Sequence, residues 1–287
     1  MSVPGLAARY RYRLATYPLV GYPLLLCWLK GWLPVPHADV QVRLDDGRLL
    51  QFRRSDRTQR TMWLGLFELS ESRLVSGLLR PGDIFIDVGA HVGWFTTIAA
   101  RQVGSDGQVI AIEPYPENAA ALRTNLALNG AQNVLVVESA LGNRPGTLRL
   151  RKGSDSGGVT ALDWSTGGEA DVPMTTLDDV ASAITAIKLL KIDVEGWESH
   201  VLRGAAETLR RSANVLIEIN RPALQKAASS PEELFNLLRN SGFTSFMTVG
   251  QTGIRRLHRG DRVVNVLASR VSAPLHPAAA NSRTDVD

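Results

Sequence analysis

The chain has 287 residues, a formal net charge of +4 from 32 basic and 28 acidic residues, and a composition that is 44% hydrophobic and 21% charged. That is an ordinary soluble globular chain, long enough for one main domain with an extension, and it excludes a disordered, collagenous or disulfide-built protein. The single cysteine, Cys27, excludes an intrachain disulfide and a cysteine-bound metal cluster; with no secretory signal in view, a cytoplasmic protein is the expectation.

The chain opens with the basic arm Arg9-Tyr10-Arg11-Tyr12-Arg13 and an apolar run from Leu14 to Leu29. That run is shorter than the roughly 20 residues a spanning helix needs, and Pro18, Gly21 and Pro23 interrupt it. Basic residues ahead of Trp28 and Trp32 allow peripheral contact with an anionic membrane, but a helix packed on the domain or at a homodimer interface is the plainer reading. Approximate alternation over Val40–Leu44 and Arg48–Phe52, around Asp45-Asp46-Gly47, predicts a small antiparallel hairpin. Apolar residues at helical spacing over 58–80 predict helical packing, stopped by Pro81-Gly82. The arginines at 48, 53, 54, 57 and 60 suit an anionic acceptor, although a solvated face is the default for such a run.

From residue 81 the pattern is regular. Strand Ile84–Val88, helix Trp94–Val103, strand Gln108–Glu113, helix Pro116–Leu128, strand Asn133–Val137, strand Ile187–Val194, helix Trp197–Arg210 and strand Val215–Ile219 follow one another, and such alternation predicts a largely parallel sheet with right-handed crossovers. A helix over Pro231–Asn240 and strands over Phe243–Val249 and Val263–Ala268 complete it. The stretch Arg151–Pro173, dense in glycine and serine, reads as a mobile loop that covers a pocket or as a bland surface insertion. The Ala/Pro/Ser-rich tail from Ser272 reads as disordered.

Three clusters carry chemistry. In Asp87-Val88-Gly89-Ala90-His91-Val92-Gly93 a strand runs into glycines and a helix start, a backbone that approaches a ligand closely and offers unpaired amides. The spacing is neither G-x-G-x-x-G nor a P-loop, which disfavours an NAD-using oxidoreductase. Glu113, at the end of the next strand, can accept hydrogen bonds from both hydroxyls of a ribose. In Lys191-Ile192-Asp193-Val194-Glu195-Gly196-Trp197-Glu198, period-two geometry sends Lys191, Asp193 and Glu195 to one side, where neighbours such as Leu189 and Leu190 make them costly unless paired. Glu218 and Asn220 end the next strand and open onto the same rim. Although 27 basic residues are arginine, no long basic tract, zinc-finger spacing or aromatic-basic module is present, so nucleic acid is not the expected partner.

These motifs, together with Glu113-Pro114, resemble the FkbM-type S-adenosylmethionine-dependent methyltransferases over roughly residues 65–220. The resemblance implies an α/β, Rossmann-like class I methyltransferase fold, with a mostly parallel seven-stranded sheet and a C-terminal antiparallel hairpin. It also implies S-adenosylmethionine as cofactor and methyl transfer to a hydroxyl of a small molecule, a natural product or sugar. His91 departs from it, standing where the family's first glycine loop has Asn; Glu68 looks like the glutamate common before the first core strand, on a helix that closes over the site.

On this reading residues 1–80 form an N-terminal helical extension with a small hairpin, serving as lid or interface, residues 81–270 the methyltransferase domain, and 271–287 a disordered tail. Asp87, Gly89, His91 and Gly93 would surround the amino-acid part of the cofactor, Glu113 its ribose, and Glu138, Ser139 or Ala140 its adenine. Asp193 would face the methionine end and the acceptor. Candidates for the base are Asp193, Glu195, Glu218 and His91, of which histidine alone has an ordinary pKa near neutrality. No required metal is expected. His200 is expected to be a solvent or interface residue. The cofactor motifs do not encode the nucleophile, so a nitrogen acceptor stays open, as does a noncatalytic binding or scaffold protein that retains the fold.

Overall fold

The computed structural model describes residues 39–53, 56–63, 67–152, 160–162, 170–250, 253–255 and 263–270. The basic arm, the apolar run after it, the glycine-rich stretches 153–158 and 166–168 and the tail from 272 lie outside the described residues.

The expected hairpin is present as β1 (Val40–Arg43) and β2 (Leu49–Phe52), with Val40 opposite Phe52 and Gly47 turning the chain. Two short helices follow, α1 (Arg57–Trp63) and α2 (Leu69–Leu78). The hairpin and α2 are built into the core: Leu50, Phe52, Val75 and Leu79 share an apolar cluster with Phe85, Phe95, Val109 and Leu216. Arg48, expected on a solvated face, is 4% exposed. It donates to Trp94 O (2.7 Å) and Thr97 Oγ1 (2.8 Å), and its guanidinium lies 4.9 Å from the Trp94 ring. Its burial is affordable because Asp46 and these acceptors take up its donors. Arg53 is exposed and paired with Glu117; Arg54 and the side chains of Arg57 and Arg60 lie outside the described residues.

β3 (Ile84–Val88), α3 (Trp94–Val103), β4 (Gln108–Ile112), α4 (Pro116–Leu128) and β5 (Val134–Val137) form the first half of the main sheet. The chain then makes a second, four-stranded sheet from β6 (Ala140–Leu141), β7 (Gly146–Lys152), β8 (Thr160–Leu162) and β9 (Ala170–Thr175), in the order β6-β9-β7-β8. Its strands flank the glycine-rich stretches, so the segment read as a loop is in good part a sheet. Leu148, Leu150 and Val172 alternate inward from it into the larger core cluster.

After the short α5 (Leu177–Val180), β10 (Leu189–Ile192), α6 (Glu198–Arg203), α7 (Ala206–Arg211), β11 (Asn214–Asn220), α8 (Arg221–Lys226), α9 (Pro231–Asn240), β12 (Ser245–Gly250), β13 (Gly253–Arg255) and β14 (Val263–Ser269) complete the chain. The main sheet runs β13-β12-β14-β11-β10-β3-β4-β5. β5 through β11 are parallel and β14 is antiparallel to both of its neighbours. This is the expected seven-stranded class I order with an eighth, short edge strand, β13. The order reverses between β3 and β10, and in an open parallel sheet that is where a crevice forms beyond the carboxyl ends of the strands.

The single helix expected over Trp197–Arg210 is broken. α6 stops at Gly204, and α7 is capped from α5, whose Asp178 accepts from the amides of Glu207 (3.1 Å) and Thr208 (2.7 Å). A Cβ on Gly204 would sit 2.0 Å from the carbonyl oxygen of Gly142 at the end of β6. Gly204→Ala therefore forces two packed backbones apart, and a loss of about 1–3 kcal/mol is expected in urea unfolding; an unchanged midpoint and slope would show that the approach is not tight.

Candidate active site

A cleft opens where β3, β4, β5 and β10 end. One end is apolar, walled by Ile112, Pro114, Ala140, Leu141, Leu148 and Leu150. The other carries Glu68, His91, Asp193 and Glu195. Its floor is set by Lys191, only 3% exposed, which pairs across the strands with Asp87 in register and binds Asp193 Oδ2 at 3.0 Å, its ammonium 4.8 Å from the Phe95 ring centre. Burial opposes the lysine charge, but Asp193, Asp87 and Glu68 outweigh it and push its pKa above the ordinary value. Asp87 is 1% exposed; Thr96 Oγ1 donates to its Oδ2 at 2.7 Å, and its Oδ1 is shielded with no hydrogen-bond partner among the described residues. Burial pushes its carboxyl up against the pull of Lys191.

The first turn beyond β3 needs glycine for a protein reason. At Gly89, φ is +83 and a Cβ would lie 1.9 Å from the carbonyl oxygen of Asp193, so the two strand ends touch there. Gly93 lies outside the cleft lining and faces Leu122 of α4 instead. Between them His91 holds a left-handed backbone, φ 51; its amide donates to Glu113 Oε2 at 2.8 Å and its Nε2 is shielded without a partner among the described residues. Burial lowers its imidazole pKa. Glu113 also accepts from the Tyr115 amide (3.0 Å) and Asn118 Nδ2 (3.3 Å) through Oε1, and burial pushes it up to about 7 despite these bonds.

The strand carrying the third motif ends at Ile192, so simple alternation reaches only Asp193. Glu195 comes to the cleft through a left-handed turn, φ 54, held by Glu198: its Oε1 accepts from the amides of Val194 (3.1 Å) and Gly196 (3.0 Å). Glu218 of β11 meets this turn, and one oxygen each of Asp193, Glu195 and Glu218 lie within 4.8 Å of one another. Burial first, then Asp193, pushes Glu195 up to about 8 and Glu218 to about 10. Glu68, itself left-handed (φ 40) and beside Phe67, is likewise pushed to about 8 by burial and by Asp193, and its Oε2 is shielded without a partner among the described residues.

Gly89, His91, Glu113, Ser139, Ala140, Asp193 and Glu195 thus line one cleft, with Asp87 beneath and Glu218 at its edge. Glu138 stands outside it, in a half-exposed ion pair with Arg123 at 2.7 Å. His200, expected at solvent or an interface, is half-buried and stacks on Trp197 with centroids 3.3 Å apart. Among the residues that sequence reasoning missed are Leu148 and Leu150, whose alternation in Thr147-Leu148-Arg149-Leu150-Arg151 is the signal, and Asn118, in the first turn of α4. The donor set fits S-adenosylmethionine: the apolar end suits an adenine, the acidic end complements a sulfonium and an ammonium, and Glu68 Oε2, Asp87 Oδ1 and His91 Nε2 are buried polar atoms left unsatisfied among the described residues.

Sheet order and cleft together define a Rossmann-like class I methyltransferase. The sequence matches the methyltransferase FkbM domain over residues 87–245. It is 31% identical over 200 residues to the 31-O-demethyl-FK506 methyltransferase FkbM of Streptomyces tacrolimicus, spanning 58% of this chain and 74% of that protein. The methyltransferase sdnD of Sordaria araneosa is 30% identical over 50% of this chain and 69% of its own length. The 2-O-methyltransferase NoeI of Sinorhizobium fredii is 25% identical over 58% and 75%. The chain belongs to the FkbM family of S-adenosylmethionine-dependent methyltransferases. Among the described residues no helix is long and apolar enough to cross a membrane.

The raised carboxyls bear on stability. Glu195 and Glu68 stay protonated in the fold to about pH 8, whereas in an unfolded chain they ionise near pH 4.3. Between those values the folded state binds more protons, so their contribution to stability is complete at the acid end and lost as pH rises through about 8. In urea unfolding of the cofactor-free protein from pH 5 to pH 9, Glu195→Gln should lose less stability across the range than the parent. Equal losses would show that Glu195 ionises as it does in the unfolded chain.

Proposed function

We propose that the protein is an O-methyltransferase acting on a hydroxyl of a small molecule, a secondary metabolite or a sugar. The observation that carries this reading is the convergence of Asp193, Glu195 and Glu218 beside the Lys191–Asp193 pair, a cluster of carboxyl groups of which Asp193 and Glu195 line the cleft. The names of two relatives, a 31-O-demethyl-FK506 methyltransferase and a 2-O-methyltransferase, support an oxygen nucleophile.

Bound S-adenosylmethionine supplies an electrophilic methyl group on a sulfonium. Glu113, with two acceptor oxygens already oriented by the His91, Tyr115 and Asn118 donors, is assigned to the ribose hydroxyls. Ser139 and Ala140 line the apolar end and are assigned to adenine; Glu138, turned to Arg123, takes no part. Gly89 and His91, with Asp87 below, are assigned to the amino-acid part, and Gly93 supports the turn through its packing on Leu122. Asp193, held in place by Lys191, is assigned to the methionine end and the acceptor. Much of the rate in an in-line displacement comes from holding nucleophile and methyl carbon at about 3–3.5 Å, and the fixed Asp193 is suited to that task. Glu195 and Glu218 hold their protons near neutral pH, so they serve the acceptor as donors. His91, whose imidazole pKa is lowered by burial and whose Nε2 has no partner among the described residues, is assigned to take the acceptor proton.

The experiment is calorimetric titration with S-adenosylmethionine, followed by mass analysis after incubation with a panel of hydroxylated metabolites and glycosides. A product heavier by one methylene on oxygen is expected; methylation confined to amines would overturn the oxygen assignment, and binding without turnover would favour a noncatalytic role. Glu113→Ala should weaken cofactor binding by at least about tenfold, or 1.4 kcal/mol; full affinity in the folded variant removes Glu113 from the ribose. By contrast, Asp193→Asn should lower turnover by about 100-fold or more while cofactor affinity changes by less than about tenfold. A fully active Asp193→Asn enzyme would take this residue out of the reaction.

A further inference from the structure

A second cleft, of about 740 Å³, opens between α3, the end of α4 and the turn of the β1–β2 hairpin, and it shares no lining residue with the cofactor cleft. It reaches to the carboxyl end of α3 at Gly104, whereas the cofactor cleft lies at the other end of that helix, where β3 runs into its start.

Three arginines line this second cleft from three places in the chain: Arg43 at the end of β1, Arg48 just before β2, and Arg101 in the last turn of α3. Arg48 is recessed, at 4% exposure. Asp46 takes up its Nε, and Trp94 O and Thr97 Oγ1 take up its Nη1; its Nη2 has no acceptor among the described residues and is not shielded from solvent. Arg43 Nη1 donates to Gly47 O at 3.2 Å and Arg101 Nη1 donates to Asp46 O, both carbonyls of the hairpin turn. Neither of these exposed arginines has an ion-pair partner among the described residues. Arg101 lies over the turn, where a Cβ on Gly47 would be 3.5 Å from its Nη1.

The charges at the cleft do not balance. One carboxylate, Asp46, answers three guanidinium groups, while Asp106 at the rim accepts from Ser105. Burial lowers the Arg48 pKa against the pull of Asp46, and the like charge of Arg101 adds to the lowering. Helix capping does not account for the arginines. Asn133 Nδ2 already takes the carbonyls of Ala100 (2.9 Å) and Gly104 (2.7 Å) at the end of α3, and the amides of Gly130 and Ala131 close α4 onto Ala127 O and Leu126 O.

Guanidinium forks with free N–H donors match the oxygens of a phosphate group. A membrane surface does not reach a guanidinium that is 4% exposed within a cleft, which favours a soluble molecule over a lipid headgroup, and the volume suits a small molecule larger than phosphate itself. We propose that this cleft binds the phosphate group of a soluble small molecule through Arg43, Arg48 and Arg101. The site stands apart from the methyl-transfer reading and does not depend on it.

The test titrates the full chain by calorimetry with inorganic pyrophosphate and with glucose 6-phosphate, in low-salt buffer containing EDTA. One molecule per chain is expected, and glucose should not bind. Arg43→Gln and Arg101→Gln should each weaken binding by about fivefold or more, while Arg210→Gln, exposed on α7, should leave it unchanged, with folding verified by circular dichroism. Saturating S-adenosylmethionine should not alter the affinity. Binding of either probe with this dependence on Arg43 and Arg101 establishes the site. Failure of both probes to bind, affinity undiminished in both variants, competition by S-adenosylmethionine, or capture of the chain by phosphatidylglycerol vesicles with neither soluble probe bound overturns the proposal.

Discussion

A buried ammonium between two carboxylates organises this molecule. Lys191 sits in the middle of the main sheet with leucines before it, and its charge is tolerable there only because the parallel register places Asp87 opposite and the chain brings Asp193 back onto it two residues later. A slip of β10 against β3 by one residue would turn the lysine toward the other apolar face and strand all three charges. The pair of strands that must be aligned in this way is the pair at which the sheet order reverses, so the same constraint that fixes the register also builds the crevice floor.

Around that floor the backbone is held in unfavourable shapes. Of the four non-glycine residues with positive φ among the described residues, Glu68, His91 and Glu195 line the cleft. Each costs on the order of 1–3 kcal/mol and persists only where its surroundings over-determine it. The surroundings are specific: Phe67, next to Glu68, packs edge-on to Trp94; Glu113 accepts the His91 amide; Glu198 accepts the amides on both sides of Glu195. Glu113 and Glu198 therefore shape the cleft from within the protein, whatever ligand they also meet.

The helices α3, α4 and α9 were legible to the residue, because in each an apolar repeat is bounded by a clear stop or start: Gly93 and Gly104, Pro116, and the Ser230-Pro231 cap. The glycine turn, Glu113 and Asp193 were legible as strand-end polar residues after apolar runs. What escaped was set by contacts distant in sequence. The break between α6 and α7 depends on Asp178 and on Gly142, neither of them near Gly204 in the chain. The second sheet was hidden because its strands are short and flank glycine-rich segments. Glu195 does share the cleft with Asp193, but it arrives through a left-handed turn, which the alternation of a strand does not describe.

The hairpin at the start of the described chain has a consequence for how such proteins can diversify. Its edge strand β2 is not left open: Asn129 Oδ1 and Asn125 Oδ1 accept from the amides of Leu49 (3.0 Å) and Gln51 (2.7 Å), and Asn129 Nδ2 returns a bond to Leu49 O (2.8 Å). Two asparagines one turn apart on α4 thus imitate a neighbouring strand, and Asn125 also donates to Val92 O in the glycine turn (2.8 Å). A segment that looks detachable from the chemical motifs is in fact wired to the glycine turn after β3 through a helix. Exchange of this front piece between relatives cannot be a clean cassette swap: the recipient must already carry the matching amides on its own helix, or the graft arrives with an unsatisfied edge.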